Sequence, residues 1–210
     1  MVRKIIIVGA ILLLTSPAFS EIILVPGDVA TIQGAIDLAV PGDVVRVAAG
    51  TYRENLTIGK DITVKSESGP DNTIIAGIAT GDAPVVNFTS GTGRQAVLDG
   101  FTITGGSSYG LDAGGVRLVF SSATVQNNVV RNNQGSGMSA RGSGSGLFAN
   151  NLVEGNDLGF RSNSSRCIVT GNRIVGNSGY GIEFNNAPPQ EISFNIVAAN
   201  GNDGIRGVVP

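Results

Sequence analysis

From Val44 onward the apolar residues fall in short runs broken by Gly, Asn, Asp and Ser. Val44 to Val47, Leu56 to Ile58, Ile62 to Val64, Thr73 to Ile75 and Val85 to Phe88 are such runs, rich in β-branched side chains, and they predict strands of three to five residues. Before them the period changes. Ile32, Ala35, Ile36, Ala39 and Val40 lie at i, i+3, i+4, i+7 and i+8, the spacing of one apolar helical face, so a short amphipathic helix is expected over Thr31 to Val40. Thr31 can cap its start and Pro41-Gly42 stops it.

The second half repeats. Asn-x-[Val/Ile]-x-x-Asn begins at Asn128, Asn151, Asn172 and Asn195, in steps of 23, 21 and 23 residues. A Gly-apolar pair follows each copy: Gly137-Met138, Gly159-Phe160, Gly181-Ile182 and Gly204-Ile205. A repeat this short builds a solenoid, because one unit can bury its apolar face only against its neighbours. Three apolar columns emerge: Val125, Phe148, Val169 and Ile192; Val130, Val153, Ile174 and Val197; Met138, Phe160, Ile182 and Ile205. They predict an all-β parallel β-helix of three short sheets and about 22 residues per coil, an order of magnitude set by the repeat step. Phe101, Ile103, Gly106 and Gly115-Val116 fit as an upstream coil if Gly105 to Gly115 contains a loop insertion. That insertion, with Ser107, Ser108, Tyr109 and Asp112, is either a glycine-rich connector or a ligand-contacting loop. The repeated asparagines are expected to form two ladders, Asn128-Asn151-Asn172-Asn195 and Asn133-Asn156-Asn177-Asn200, passing amide hydrogen bonds from coil to coil and supplying the positive φ of tight corners.

The ends define three segments. Arg3 and Lys4 precede the apolar run Ile5 to Leu14 and then Ala18-Phe19-Ser20, so residues 1–20 read as a signal peptide cleaved after Ser20, and the product as secreted, periplasmic or cell-surface. The run is too short to span a bilayer, so the mature chain is not expected to cross a membrane. Residues 21–43 are assigned to an N-terminal strand and the helix, which caps the first edge of the solenoid, and residues 44–210 to the β-helix. Val208-Val209-Pro210 stops just after a repeat without a distinct cap, so at that end either a partner covers the edge or the chain is a fragment.

Composition narrows the chemistry. Removing Arg3 and Lys4 from 14 basic residues leaves 12 against 16 acidic ones, a balance of −4, which disfavours nucleic acid as a partner. The chain has no histidine, which removes Ser-His-Asp catalysis, His-ligated zinc and a histidine base. Tryptophan is also absent, which weakens a reading based on sugars stacking on aromatic rings. Cys167, the single cysteine, reads as a small buried side chain. No cofactor is implied. Calcium could at most use Glu67, Asp71 and Asn72, whose spacing matches no defined calcium loop.

Thr31-Ile-Gln-Gly-Ala-Ile-Asp37, Pro41-Gly-Asp-Val-Val-Arg-Val47 and Gly50-Thr-Tyr-Arg-Glu-Asn55 resemble the N-terminal entry of the pectin-lyase-like superfamily of right-handed parallel β-helix proteins. Leu98-Asp-Gly-Phe-Thr-Ile-Thr-Gly-Gly106 and the Asn repeats are similar to its generic β-helix repeats. The resemblance, with the preference for right-handed parallel crossovers, implies a right-handed solenoid. It implies no reaction, since the superfamily holds lyases, esterases, hydrolases, adhesins and accessory proteins. The Asp-Phe-Ile-Phe-Gly and Gly-Arg-Pro-Trp motifs of pectinesterases, the Gly-His-Gly and Arg-Ile-Lys motifs of polygalacturonases and the Trp-x-Asp-His pattern of pectate lyases are all missing.

The residue after each Gly-apolar pair should point outward. In register these are Arg117, Ser139, Arg161, Glu183 and Arg206, and two residues later Val119, Arg141, Asn163, Asn185 and Val208. Arg117, Arg141, Arg161, Asn163, Glu183, Asn185 and Arg206 are therefore the candidate substrate-binding residues. Arginine suits planar pairing with a uronate carboxylate, and Asn suits hydroxyls. If the chain is an enzyme, Arg161 and Glu183 are its catalytic candidates. The alternative for the strip is a solvated sheet face on which Arg161, Glu183 and Arg206 pair across coils. The leading functional expectation is an exported, non-catalytic module that contacts polysaccharide or another surface component. A polysaccharide lyase and a structural segment of a longer adhesin stand beside it.

Overall fold

The computed structural model describes residues 20–78, 81, 83–108, 113–186 and 191–208. The expected signal peptide, apart from Ser20, lies outside these residues, as do Tyr109 and Asp112 of the loop insertion and the terminal Val209-Pro210. The chain winds into a parallel β-solenoid of about 8 turns, with about 23 residues per turn. The first sheet stacks Ile22–Val25, Val44–Val47, Thr63–Ser66, Val97–Asp99, Thr124–Gln126, Leu147–Ala149, Ile168–Thr170 and Glu191–Ser193. The second stacks Gly50–Arg53, Thr73–Ala76, Thr102–Thr104, Val129–Arg131, Leu152–Glu154, Arg173–Val175 and Ile196–Ala198. The third stacks Leu56–Ile58, Val86–Phe88, Ala113–Val119, Ser136–Arg141, Leu158–Asn163, Ile182–Asn185 and Ile205–Val208.

Each strand sends alternate side chains inward, and the three expected columns line the interior. Val125, Phe148, Val169, Val130, Val153, Ile174, Met138, Phe160 and Ile182 are completely buried. Phe148 and Phe160 meet edge to face, with ring centroids 4.8 Å apart, so the stack also gains aromatic contacts between rungs. The last rung departs from expectation. Ile192 and Ile205 keep their places in the columns but are 38% and 52% exposed, because no described rung lies beyond them.

Both asparagine ladders form. Asn128 N and Nδ2 donate to Asn151 Oδ1 at 3.0 and 3.2 Å, Asn151 repeats the pattern with Asn172, and Asn172 with Asn195. Asn133, Asn156, Asn177 and Asn200 form the second series in the same way. The positive φ that sequence assigned to these asparagines belongs instead to the residue before each. Asn127, Asn150, Gly171 and Phe194 occupy it at one corner, and Asn132, Gly155, Gly176 and Ala199 at the other. The division is physical: the left-handed residue turns the chain outward, which frees the next amide to point into the stack.

The helix spans Ile32–Leu38, with Thr31 Oγ1 accepting from Gly34 N at 3.1 Å. It packs on the first strands and buries Ile32, Ala35 and Ile36. Val40, expected on the buried face, is 56% exposed, because Ala39 has already left helical geometry at ψ 146°. Two charges of the first rungs hold the helix at its ends. Glu54 accepts from Ile32 N and Gln33 N, both at 2.9 Å, and Lys60 Nζ donates to the carbonyls of Ile36, Asp37 and Ala39. Asp43 joins helix and sheet by accepting from Val40 N and Glu21 N, and these two amides hold its carboxyl below the ordinary aspartate range.

Candidate functional site

The outer face of the third sheet carries the strip that the sequence singled out. What aligns it is the glycine of each Gly-apolar pair. A methyl group on Gly115, Gly137, Gly159 or Gly181 would collide with atoms of a neighbouring rung, so glycine lets the rungs close up and fixes the strands in register. Arg117, Ser139, Arg161, Glu183 and Arg206 then lie directly opposite one another on successive strands, and Arg141, Asn163, Asn185 and Val208 do the same two residues on.

The structure pairs much of this strip with itself. Arg161 Nε lies 3.2 Å from Glu183 Oε2, and Arg206 Nη1 lies 3.7 Å from Glu183 Oε1. The Asn185 amide, oriented with its oxygen toward the guanidinium, accepts from Arg161 Nε at 3.1 Å and Nη2 at 2.9 Å. Arg206 also donates to Tyr180 Oη at 2.7 Å while its guanidinium sits 4.8 Å from the centre of the Tyr180 ring. Arg117 Nε donates to Asn87 Oδ1 at 3.0 Å. The Glu183 side chain is only 5% exposed beneath its two arginines. Ser139 Oγ, buried on the same column between Arg117 and Arg161, has no partner among the described residues.

Two of the expected residues have a different setting. Arg141 and Asn163 are exposed, and both line a cleft of about 610 Å³ where the third sheet turns toward the first. Phe120, Gly142, Ser143 and Ser164 complete its walls. Arg161 and Arg141, both candidates for pairing with a uronate carboxylate, are thus divided: the first is drawn into the ionic row and the second lines the cleft. Sequence reasoning passed over Phe120, Asn87 and Tyr180. For Phe120 a signal existed, since a large apolar residue stands where the next rungs have Gly142, Ser164 and Asn186.

Glu67 of the calcium suggestion lies 3.9 Å from Arg46, and Asn72 Nδ2 donates to Ser68 O. Cys167 is fully buried, and burial pushes its thiol up to about 11, which keeps it protonated and unreactive at neutral pH. In the loop insertion, Ser107 bridges to Ala83 in antiparallel fashion and its hydroxyl donates to Gln134 Oε1.

Among the curated proteins and among the solved structures, no match was found. Residues 71–208 match the family described as the right-handed β-helix region, more than half of the chain and every solenoid strand from Thr73–Ala76 onward. The parallel rungs, the twin asparagine ladders and this match agree with the resemblance to the pectin-lyase-like superfamily. The chain belongs to the right-handed β-helix family.

Proposed function

We propose that this chain is an exported, non-catalytic β-helix module that binds polysaccharide on the outer face of its third sheet. The observation that carries the reading is the contrast along that face. Glu183, the carboxylate a lyase would use as base, is covered and held by arginines on both sides, whereas Arg141 and Asn163 are presented to solvent beside a cleft. A base must reach the proton it removes, and an ion-paired carboxylate under two guanidiniums is poorly placed to do so. The cleft offers what a polyhydroxylated ligand needs: a cation, an amide and two serine residues on rigid strands and their corners. Export in this reading rests on the charged and apolar pattern of residues 1–20.

The test is a glycan array probed with the purified chain, run alongside an ultraviolet assay for unsaturated products on pectate and alginate. Binding to one or more polysaccharides without product formation is expected. Absence of binding across the array removes the glycan reading, and accumulation of unsaturated sugar replaces it with a lyase.

A further inference from the structure

We infer that Phe120 is a stacking platform for one pyranose residue, and that Arg141 beside it selects a residue carrying an anionic substituent, a carboxylate or a sulfate. This rests on the polysaccharide-binding reading and names the contact within it.

The first ground is the backbone. Phe120, Gly142, Ser164 and Asn186 occupy one corner position on successive rungs, at φ +49°, +84°, +58° and +44°. Phe120 N donates to Arg141 O, Gly142 N to Asn163 O and Ser164 N to Asn185 O, so the ladder runs unbroken through the turn. Glycine, serine and asparagine suit a left-handed corner, and a bulky aromatic does not. Nothing in the corner's own geometry calls for phenylalanine. A residue held in a disfavoured conformation by well-determined surroundings is where a functional demand is to be sought.

The second ground is the ring's setting. Phe120 is 55% exposed, although a side chain of its size is ordinarily withdrawn from water. A methyl group at Gly142 would run into the ring, so the ring lies against the bare backbone of the next rung. One side is seated and another faces the cleft. The ring is therefore fixed before any ligand arrives, and little side-chain entropy is lost on contact.

The third ground is the company it keeps. Of the six residues lining the cleft, Arg141 carries the charge, and Ser143, Asn163 and Ser164 supply neutral donors and acceptors. A flat apolar face, hydroxyl-matching groups and one planar cation match a pyranose: its C–H face on the ring, its hydroxyls on the serines and the amide, its anionic group on the guanidinium. A volume of about 610 Å³ suits a short stretch of glycan.

The experiment is isothermal titration of the full chain with three trisaccharides: galacturonate trimer, a sulfated galactose trimer and the neutral galactose trimer. Wild type should favour one or both anionic ligands over the neutral one by about tenfold. Phe120→Gly should weaken binding of every ligand by about tenfold, with a Tm equal to or above that of wild type because glycine relieves the corner. Arg141→Gln should abolish the preference for charge while leaving neutral binding in place. The carboxylate and sulfate arms identify which anion is taken. If wild type binds and Phe120→Gly binds equally well, the platform is wrong while the polysaccharide reading stands. If wild type binds none of the three, this contact is overturned, and the glycan array decides separately whether the broader reading falls with it.

Discussion

The side chain of Asn151, 2% exposed, makes four hydrogen bonds. Its amide nitrogen donates to Val125 O and Asn172 Oδ1, and its oxygen accepts from the backbone and side chain of Asn128. Asn151→Ala strands several of these partners, each at a cost of about 1–3 kcal/mol, and we expect a net loss of about 3 kcal/mol in urea unfolding. A loss under about 1 kcal/mol would mean that the ladder is decorative. The ladder was legible in sequence because a fixed step repeats the same residue in the same local company. The cleft was not. Phe120, Arg141 and Asn163 come from three different rungs, and only the turn where the third sheet ends brings them to one wall. For Glu183, sequence named both a ligand contact and a cross-coil ion pair, and the ion pair is formed.

At the scale of the strand, Gly115, Gly137, Gly159 and Gly181, each before an inward apolar residue, decide how closely the rungs approach. A methyl group at Gly159 would strike the Gly181 carbonyl, the Ile174 side chain and the Asn177 amide of the second ladder. Two of these cannot move without breaking hydrogen bonds, so Gly159→Ala should cost about 2–3 kcal/mol, the scale of overpacking in a closed core. Thermal unfolding checks it, and an unchanged Tm would show that the rungs can spread apart. Sequence gave these glycines only as markers of the repeat, since a one-dimensional pattern does not reveal what lies a rung away. Strand positions followed the apolar runs, with shifts of one or two residues at the ends. Gly50–Arg53 escaped notice because Gly50-Thr51-Tyr52-Arg53 has no apolar run to announce it.

Across the whole molecule, stability is summed from contacts between adjacent rungs, and the two ends differ. The helix covers the first edge, while Ile192, Phe194, Ile196 and Ile205 of the last described rung are exposed. Hydrogen exchange should therefore be slowest through the middle rungs, Thr124 to Val175, and fastest in Glu191 to Val208, graded rung by rung. Uniform protection along the chain would contradict a nearest-neighbour solenoid. Its fold class was readable because this additivity is written in the sequence as periodicity.

The helix over the first edge bears on how the molecule is made. Seven residues are too few to hold helical shape unaided in water. The two side chains that clasp its ends, Glu54 and Lys60, are translated after it. During synthesis the lid must wait for residues that emerge later, so the foremost strand stays open to stray pairing until the following turn of the spiral has left the ribosome. Any factor that escorts the newborn polypeptide has its most exposed client in that interval.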